Sequence, residues 1–127
     1  MIKFTINLQP ITKKNSQQIL VNRRTGRPFI SPSAKYKAFE KAAGYYITPP
    51  DEPIEYPVNV KAVYYMKDRR RVDLVNLQEA TLDILVKWGI LKDDHSGIVA
   101  SMDGSRVFVD RDNPRTEITI TRKENDE

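Results

Sequence analysis

The chain has 127 residues, of which 39% are hydrophobic and 30% are charged, and its 21 Lys and Arg against 17 Asp and Glu give a net charge of +4. This length supports one globular domain, and the composition is typical of a folded protein rather than a disordered one. With no cysteine and one histidine, disulfides, thiolate nucleophiles, cysteine-based zinc sites and two-histidine mechanisms are excluded.

The apolar runs of the sequence fall short of the roughly 20 residues that a membrane-spanning helix needs. The N-terminal segment MIKFTINLQP alternates like a strand and lacks the apolar block and cleavage site of a signal peptide. We therefore expect a cytoplasmic protein with no membrane segment. Its mild excess of positive charge is compatible with nucleic-acid binding but is shared by many unrelated proteins.

The first half of the chain predicts a strand, a hairpin and a helix. Residues 2–9 alternate apolar and polar side chains, which is typical of a half-buried strand. Residues 19–21 and 28–30 flank a polar segment with a glycine and predict a short hairpin. Ser33 is a suitable N-cap for a helix that extends to about Tyr46, with apolar residues at helical spacing.

The second half predicts a proline-rich loop, a strand and a long helix. Residues 48–53 include three prolines and must be a loop. Residues 58–66 alternate as a second strand, and residues 74–88 form a helix that is apolar on most of its surface. Such a helix is largely buried, and Gly89 is a natural C-cap for it.

The last part of the sequence predicts a pair of strands, at about 97–109 and 115–122, joined by a turn at 110–114. The order of elements indicates an α+β fold, with a mixed sheet packed against two helices. We expect a single domain over residues 1–127, with an acidic tail from about residue 123.

Acidic and amide side chains gather around the second predicted helix of this basic chain. Asp73 lies at its start, Asn76 and Glu79 lie on its polar edge, and Asp93 and Asp94 follow its end. Oxygen ligands of this kind suit Mg²⁺, which can activate water and stabilise a leaving oxygen. A neighbouring basic run could then hold a phosphodiester backbone.

Each of these residues also has a purely structural interpretation. Asp73 could be only an N-cap, Glu79 could pair with a nearby cation, and residues 93–94 could be an ordinary polar turn. His95 has no partner histidine, and we interpret it as a surface or hinge residue. The basic clusters could be solvated loops. These clusters are Lys13 with Lys14, Arg23 with Arg24 and Arg27, and Lys67 to Arg71.

The segment DRRRVDLVNLQ at residues 68–78, followed by a helix and by LKDD at residues 91–94, resembles the central block of the RusA-type resolvases. That block reads basic run, D-x-D-N-L, a helix of about four turns, and D-D. The resemblance extends outward to a first strand with Pro10 and a polar Asn15, a Ser-led helix from Ser33 and a closing hairpin. It therefore covers nearly the entire chain.

The resemblance implies a Mg²⁺-dependent, structure-specific endonuclease that resolves four-way (Holliday) junctions as a homodimer, with no small-molecule cofactor. Two active sites in a twofold dimer suit the symmetry of that substrate. The residues expected to bind the DNA backbone are Lys13, Lys14, Lys67, Arg69, Arg70 and Arg71.

The family's three metal-binding carboxylates match this sequence only in part. The first matches Asp73, the third matches Asp94, and the second falls on Val75, which cannot bind a metal. The family's lysine one turn into the helix falls on Glu79. Because residues 75 and 79 stack on adjoining turns, we expect a rearranged catalytic and metal site of Asp73, Glu79 and Asp94, assisted by Asn76.

Two other functions stay open from the sequence. A protein of the same fold could bind branched DNA without cutting it, because Val75 removes a carboxylate. A non-enzymatic RNA-binding domain would need exposed aromatic side chains on one sheet face. Tyr64, Tyr65 and Phe108 are candidates, but alternation places Tyr64 and Tyr65 on opposite faces, which ranks this function third.

Overall fold

The computed structural model describes residues 1–13, 17–32 and 34–123. Within these ranges the chain forms seven strands and two α-helices, with a single 3-10 turn at Gly44–Tyr46 after the first helix. The elements are β1 (Ile2–Ile6), β2 (Gln17–Val21), β3 (Pro28–Pro32), α1 (Ala34–Ala43), β4 (Val58–Met66), α2 (Leu74–Lys87), β5 (Val99–Ser101), β6 (Arg106–Val109) and β7 (Arg115–Arg122). This mixed sheet with two helices confirms the predicted α+β class.

Strand β4 is the centre of a five-stranded sheet. One edge of β4 pairs antiparallel with β7, which pairs in turn with β1, while β5 and β6 lie parallel to β4 along its other edge. Alternate residues of β4 are buried: Val58, Val60, Ala62, Tyr64 and Met66. The period-two pattern in the sequence therefore predicted this strand correctly.

Helix α2 covers the buried face of β4 and runs back toward the start of that strand. Its buried residues Leu77, Ile84 and Leu85 belong to the hydrophobic core. The helix ends in a Schellman motif, because the Ile90 N–H donates to the Leu85 carbonyl at 2.9 Å and the Gly89 N–H to the Val86 carbonyl at 3.2 Å. Gly89 has a φ of +78°, which only glycine adopts without strain.

The predicted pairing of the last two strands is wrong. Residues 97–109 form two short strands, β5 and β6, interrupted by a turn in which Gly104 has a φ of +85°. Neither strand pairs with β7, which lies on the opposite edge of β4. The 110–114 segment crosses the end of β4, where the Asp110 N–H donates to the Met66 carbonyl at 2.8 Å. β7 buries Thr116, Ile118 and Ile120 between two neighbouring strands, which satisfies both rows of its backbone hydrogen bonds.

The predicted hairpin is present, as β2 and β3 form a separate two-stranded antiparallel sheet. The first helix also forms, with Tyr36, Phe39 and Ala43 buried, although it ends at Ala43. Its expected N-cap, Ser33, and the acidic residues from Glu124 onward lie outside the described residues. In the described ranges, neither helix is long and apolar enough to cross a membrane.

A buried hydrogen bond joins β4 to α2. The Thr81 hydroxyl donates to the Leu77 carbonyl at 2.9 Å and therefore accepts the 2.7 Å bond from the Tyr64 hydroxyl. Burial of Tyr64 raises the pKa of its hydroxyl, which stays neutral at ordinary pH.

We expect Thr81→Val to lower the free energy of unfolding by about 1–3 kcal/mol, because it leaves the buried Tyr64 hydroxyl without its acceptor. Urea denaturation measures this change. Combining Thr81→Val with Tyr64→Phe should cost less than the sum of the two single changes, because both partners are then removed. Additive effects would contradict the coupling of these two residues.

Candidate metal and nucleic-acid site

The loop between β4 and α2 is held at the C-terminal end of β4. The Gln9 side-chain oxygen accepts a hydrogen bond from the Lys67 N–H at 2.9 Å, and the Asp68 carboxylate accepts one from the Arg70 N–H at 3.0 Å. These bonds give the basic loop a defined path although its arginine side chains are exposed.

A polar cleft of about 220 Å³ opens at this end of the sheet. Its charged lining consists of Lys35, Lys67, Asp68, Arg70 and Arg71. Asp68 offsets this charge only weakly, because its carboxylate lies 3.8 Å from the Arg70 guanidinium, which is largely exposed. The cleft therefore keeps an excess of positive charge suited to phosphate.

Asp73 lies beside this loop, at the start of α2. Its φ of −81° and ψ of 124° make it the N-cap residue, as one interpretation of the sequence held, but its side chain makes no capping hydrogen bond. Instead, its Oδ2 accepts a 3.2 Å hydrogen bond from Nδ2 of the buried Asn76. The structure thus brings Asp73 and Asn76 together, and most of the acceptor capacity of the carboxylate is left for a cation.

Val75 and Glu79 lie on the exposed side of α2, one turn apart. Val75 is 62% exposed and lies outside the hydrophobic core. Glu79 is also exposed, and within the described ranges it forms no ion pair. No cation in that part of the chain therefore supports the interpretation of Glu79 as a simple salt-bridge residue.

Asp94 lies at the other end of the sheet. Leu91 bridges to Ile54 just before β4, and the Lys92 N–H donates to the Ile54 carbonyl at 3.0 Å. A hydrogen bond from Lys92 to Glu55 at 2.7 Å raises the pKa of the Lys92 ammonium. Asp94 is exposed in the turn that follows, and its N–H donates to the Asp93 carboxylate at 2.7 Å.

The predicted metal ligands Asp73 and Asp94 lie far apart, because they flank opposite ends of α2. A helix of 14 residues is about 21 Å long, so Asp73 and Asp94 lie at its opposite ends. In the parts of the chain that the structure describes, no three Asp, Glu or His side chains come close enough to hold a metal ion. Within one chain, Asp73 and Asn76 therefore lie at one end of the helix, and Asp94 lies at the other.

Lys13, expected to bind DNA, has a structural partner. Its Nζ lies 2.8 Å from the Asp83 carboxylate on α2 and 5.7 Å from the centre of the Tyr36 ring. Its charge is therefore largely compensated within the chain. Its neighbour Lys14 lies outside the described residues.

Three further residues of the cleft were not indicated by the sequence: Gln9, Thr12 and Lys35. They come from the ends of two elements far from residue 67 in sequence, and tertiary packing brings them together. Of the three, only Lys35 had a feature that could have indicated this role, because it is a cation in the first turn of a predicted amphipathic helix.

The sheet face opposite α2 carries a small aromatic stack. Tyr65 and Phe108 stack with their ring centres 5.6 Å apart, while Tyr64 is buried on the other face as alternation predicted. The Arg115 guanidinium lies 3.8 Å from the centre of the Tyr65 ring and is bound by Asp110 at 2.9 Å. This hydrogen bond lowers the pKa of Asp110. Arg115 occupies the ring face on which a base would stack, which does not favour an RNA-binding surface.

Comparison with known proteins adds one match. A family model described as Endodeoxyribonuclease RusA matches residues 7–121 of the 127-residue chain. A search of curated proteins found no match. The family match includes β2, β3, both helices and both ends of the sheet.

Proposed function

The chain belongs to the RusA endodeoxyribonuclease family, and we propose that it resolves four-way DNA junctions by divalent-metal-dependent hydrolysis of the phosphodiester backbone. The observation that carries this proposal is the position of Asp73. Its carboxylate is oriented by Asn76, is not used as a helix cap, and lies beside a loop of exposed arginines. Substrate and cation are expected to meet at such a boundary between negative and positive charge.

In this proposal Asp73, Asn76 and Glu79 hold Mg²⁺ together with Asp94. When bound, the ion would activate water and stabilise the charge that develops on the phosphate. The hydrogen bond from Asn76 limits the orientations of the Asp73 carboxylate. Lys67 and Arg69 to Arg71 bind the phosphates on either side of the cleavage point. The expected cytoplasmic location stays a prediction from the sequence.

The separation of Asp73 from Asp94 gives a physical reason for a homodimer. One chain holds these carboxylates at opposite ends of α2, so a complete site needs Asp94 of the partner subunit beside Asp73. A twofold dimer would form two such sites, one for each strand cut at a symmetric junction.

Strand β6 has an exposed edge at which two copies of the chain can associate. It pairs with β4 on one side only among the described strands, and its residues Val107, Phe108 and Val109 are 37–45% exposed. An exposed apolar edge strand is a template for pairing with another chain. Because β6 pairs with Val63–Met66, at the Asp73 end of β4, antiparallel pairing of two β6 strands would place the twofold axis near that end of both sheets.

The second candidate function is binding of branched DNA without cleavage. It is favoured by Val75, an exposed apolar side chain at the place of the family's second carboxylate. In that case Asp73 and Glu79 would be remnants, and the basic cleft alone would be functional. An RNA-binding domain stays third, because Arg115 covers the Tyr65 ring.

Incubation of the protein with a labelled four-way junction and a matched linear duplex tests the proposal. We expect paired nicks in the junction alone, with Mg²⁺ present and not with chelator. Tight junction binding without nicks would support the second candidate function.

Glu79→Gln is expected to abolish Mg²⁺-dependent cleavage while leaving junction binding and folding intact, because the amide removes the negative charge that replaces the one lost at Val75. The matched variant Val75→Asp with Glu79→Gln should recover activity, since it places a carboxylate one turn earlier. Cleavage at the normal rate by the single variant would remove Glu79 from the site.

Mixing two inactive variants tests whether the sites are shared. We expect Asp73→Asn and Asp94→Asn each to be inactive as homodimers. A mixed dimer keeps one intact site, formed by Asp73 of one copy and Asp94 of the other, so refolding the two variants together should restore nicking of one strand. If each site belonged to a single chain, the mixture would stay inactive.

A further inference from the structure

Strands β2 and β3 form an arm, defined here as residues 17–32, that extends from the rest of the protein. Among the described elements, these strands pack substantially only against each other. Ile19 is 74% exposed, Val21 62% and Phe29 46%. An isolated two-stranded hairpin is marginally stable in water, and exposed apolar side chains on it indicate a binding partner.

The tip of the arm is an ordered turn that presents three arginines. Gly26 adopts a φ of +69°, and its N–H donates to the Asn22 carbonyl at 2.8 Å. The Asn22 side-chain oxygen accepts a hydrogen bond from the Arg24 N–H at 2.9 Å. Arg23, Arg24 and Arg27 are exposed, and none of them forms an ion pair with a residue that the structure describes.

The N-terminal part of the chain has an excess of basic residues, and the rest has an excess of acidic residues. Residues 1–39 carry eight Lys and Arg and no Asp or Glu, whereas residues 40–127 carry the other 13 Lys and Arg against all 17 acidic residues. The net positive charge of the protein therefore comes entirely from residues 1–39, the segment that contains the arm. A polyanion is the partner that this segment fits.

We propose that the arm is a second DNA-contacting element, which inserts its tip into a groove of a duplex branch and binds phosphates through Arg23, Arg24 and Arg27. This inference rests on the proposed action on branched DNA and adds a contact outside the basic cleft. The major groove of DNA is about 12 Å wide and admits a two-stranded ribbon. Strands of five residues give the arm a length of about 17 Å, enough to reach into that groove.

The residues on either side of the arm in sequence lie next to the proposed cleavage site. Thr12 precedes the arm and Lys35 follows it, and both line the basic cleft beside Lys67, Arg70 and Arg71. A DNA strand held in the cleft therefore passes the base of the arm. The apolar side chains of Ile19 and Val21 can then contact sugars and thymine methyl groups, which explains their exposure on a DNA-binding protein.

Salt-dependent binding of a labelled four-way junction and a linear duplex tests this inference. The variant is R23A/R24A/R27A, and the control K3A/K61A/K123A removes the same charge from other exposed lysines. We expect the arm variant to lower the slope of log K against log salt by about 2.7 for both substrates, from about 0.9 for each phosphate contact. At 0.1 M salt this corresponds to weakening by up to about 500-fold. The control should stay close to the unmodified protein.

Three outcomes would overturn the inference, and they are distinguishable. If the arm variant keeps the slope of the unmodified protein, the arm does not contact DNA and the proposed function stands. If the unmodified protein binds neither substrate, the proposed function fails and this inference fails with it. If I19S/V21S converts dimer to monomer in sedimentation while R23A/R24A/R27A keeps its salt slope, the arm is a protein interface. Unchanged urea midpoints show that the variants are folded.

Discussion

The packing of α2 against β4 is the constraint on which the rest of the structure depends. β4 has strands on both edges, buries alternate side chains under the helix and is joined to α2 by the bond between Tyr64 and Thr81. Because a helix is stiff along its axis, this packing sets a distance of about 21 Å between its ends. The basic loop and Asp73 lie at one end and Asp94 lies at the other. In the proposed function, a complete metal site would therefore depend on how two such units associate.

Ion pairs divide the cations of the described chain into two groups: several in the body of the protein are paired with acidic side chains, whereas those at the tip of the arm are not. In the body, Lys13 pairs with Asp83, Lys87 with Glu40 at 2.6 Å, and Arg115 with both Asp110 and Glu117. Exposed pairs contribute little to stability, and they neutralise charges that would otherwise attract a polyanion. The arginines at the arm tip and Arg71 in the cleft have no such acidic partner among the described residues. Net charge alone, at +4, conceals this division.

Val75 stands where the resemblance to the RusA-type resolvases places the second metal-binding carboxylate. A solvent-exposed valine does not contribute to the core, so packing does not explain it. Glu79 lies one turn further on the same side of the helix, where a longer carboxylate side chain can reach back toward Asp73. If Glu79 compensates for Val75, the proposed site would cut junction DNA, and if it does not, the chain would only bind it.

Periodicity and local turn chemistry determined much of this protein from the sequence alone. The alternation in β1 and β4, the apolar surface of α2, the Gly89 cap and the β2–β3 hairpin depend on neighbours within a few residues, and the structure confirms them. The motif at residues 68–78 also identified the family. Tertiary structure alone decided that β7 lies between β1 and β4, because pairing of buried strands depends on sheet-wide burial rather than on chain proximity. It also decided that Lys13 pairs with Asp83 and that the segment after α2 stays beside Ile54 instead of folding back toward Asp73, since residue spacing does not specify contacts between residues distant in the sequence.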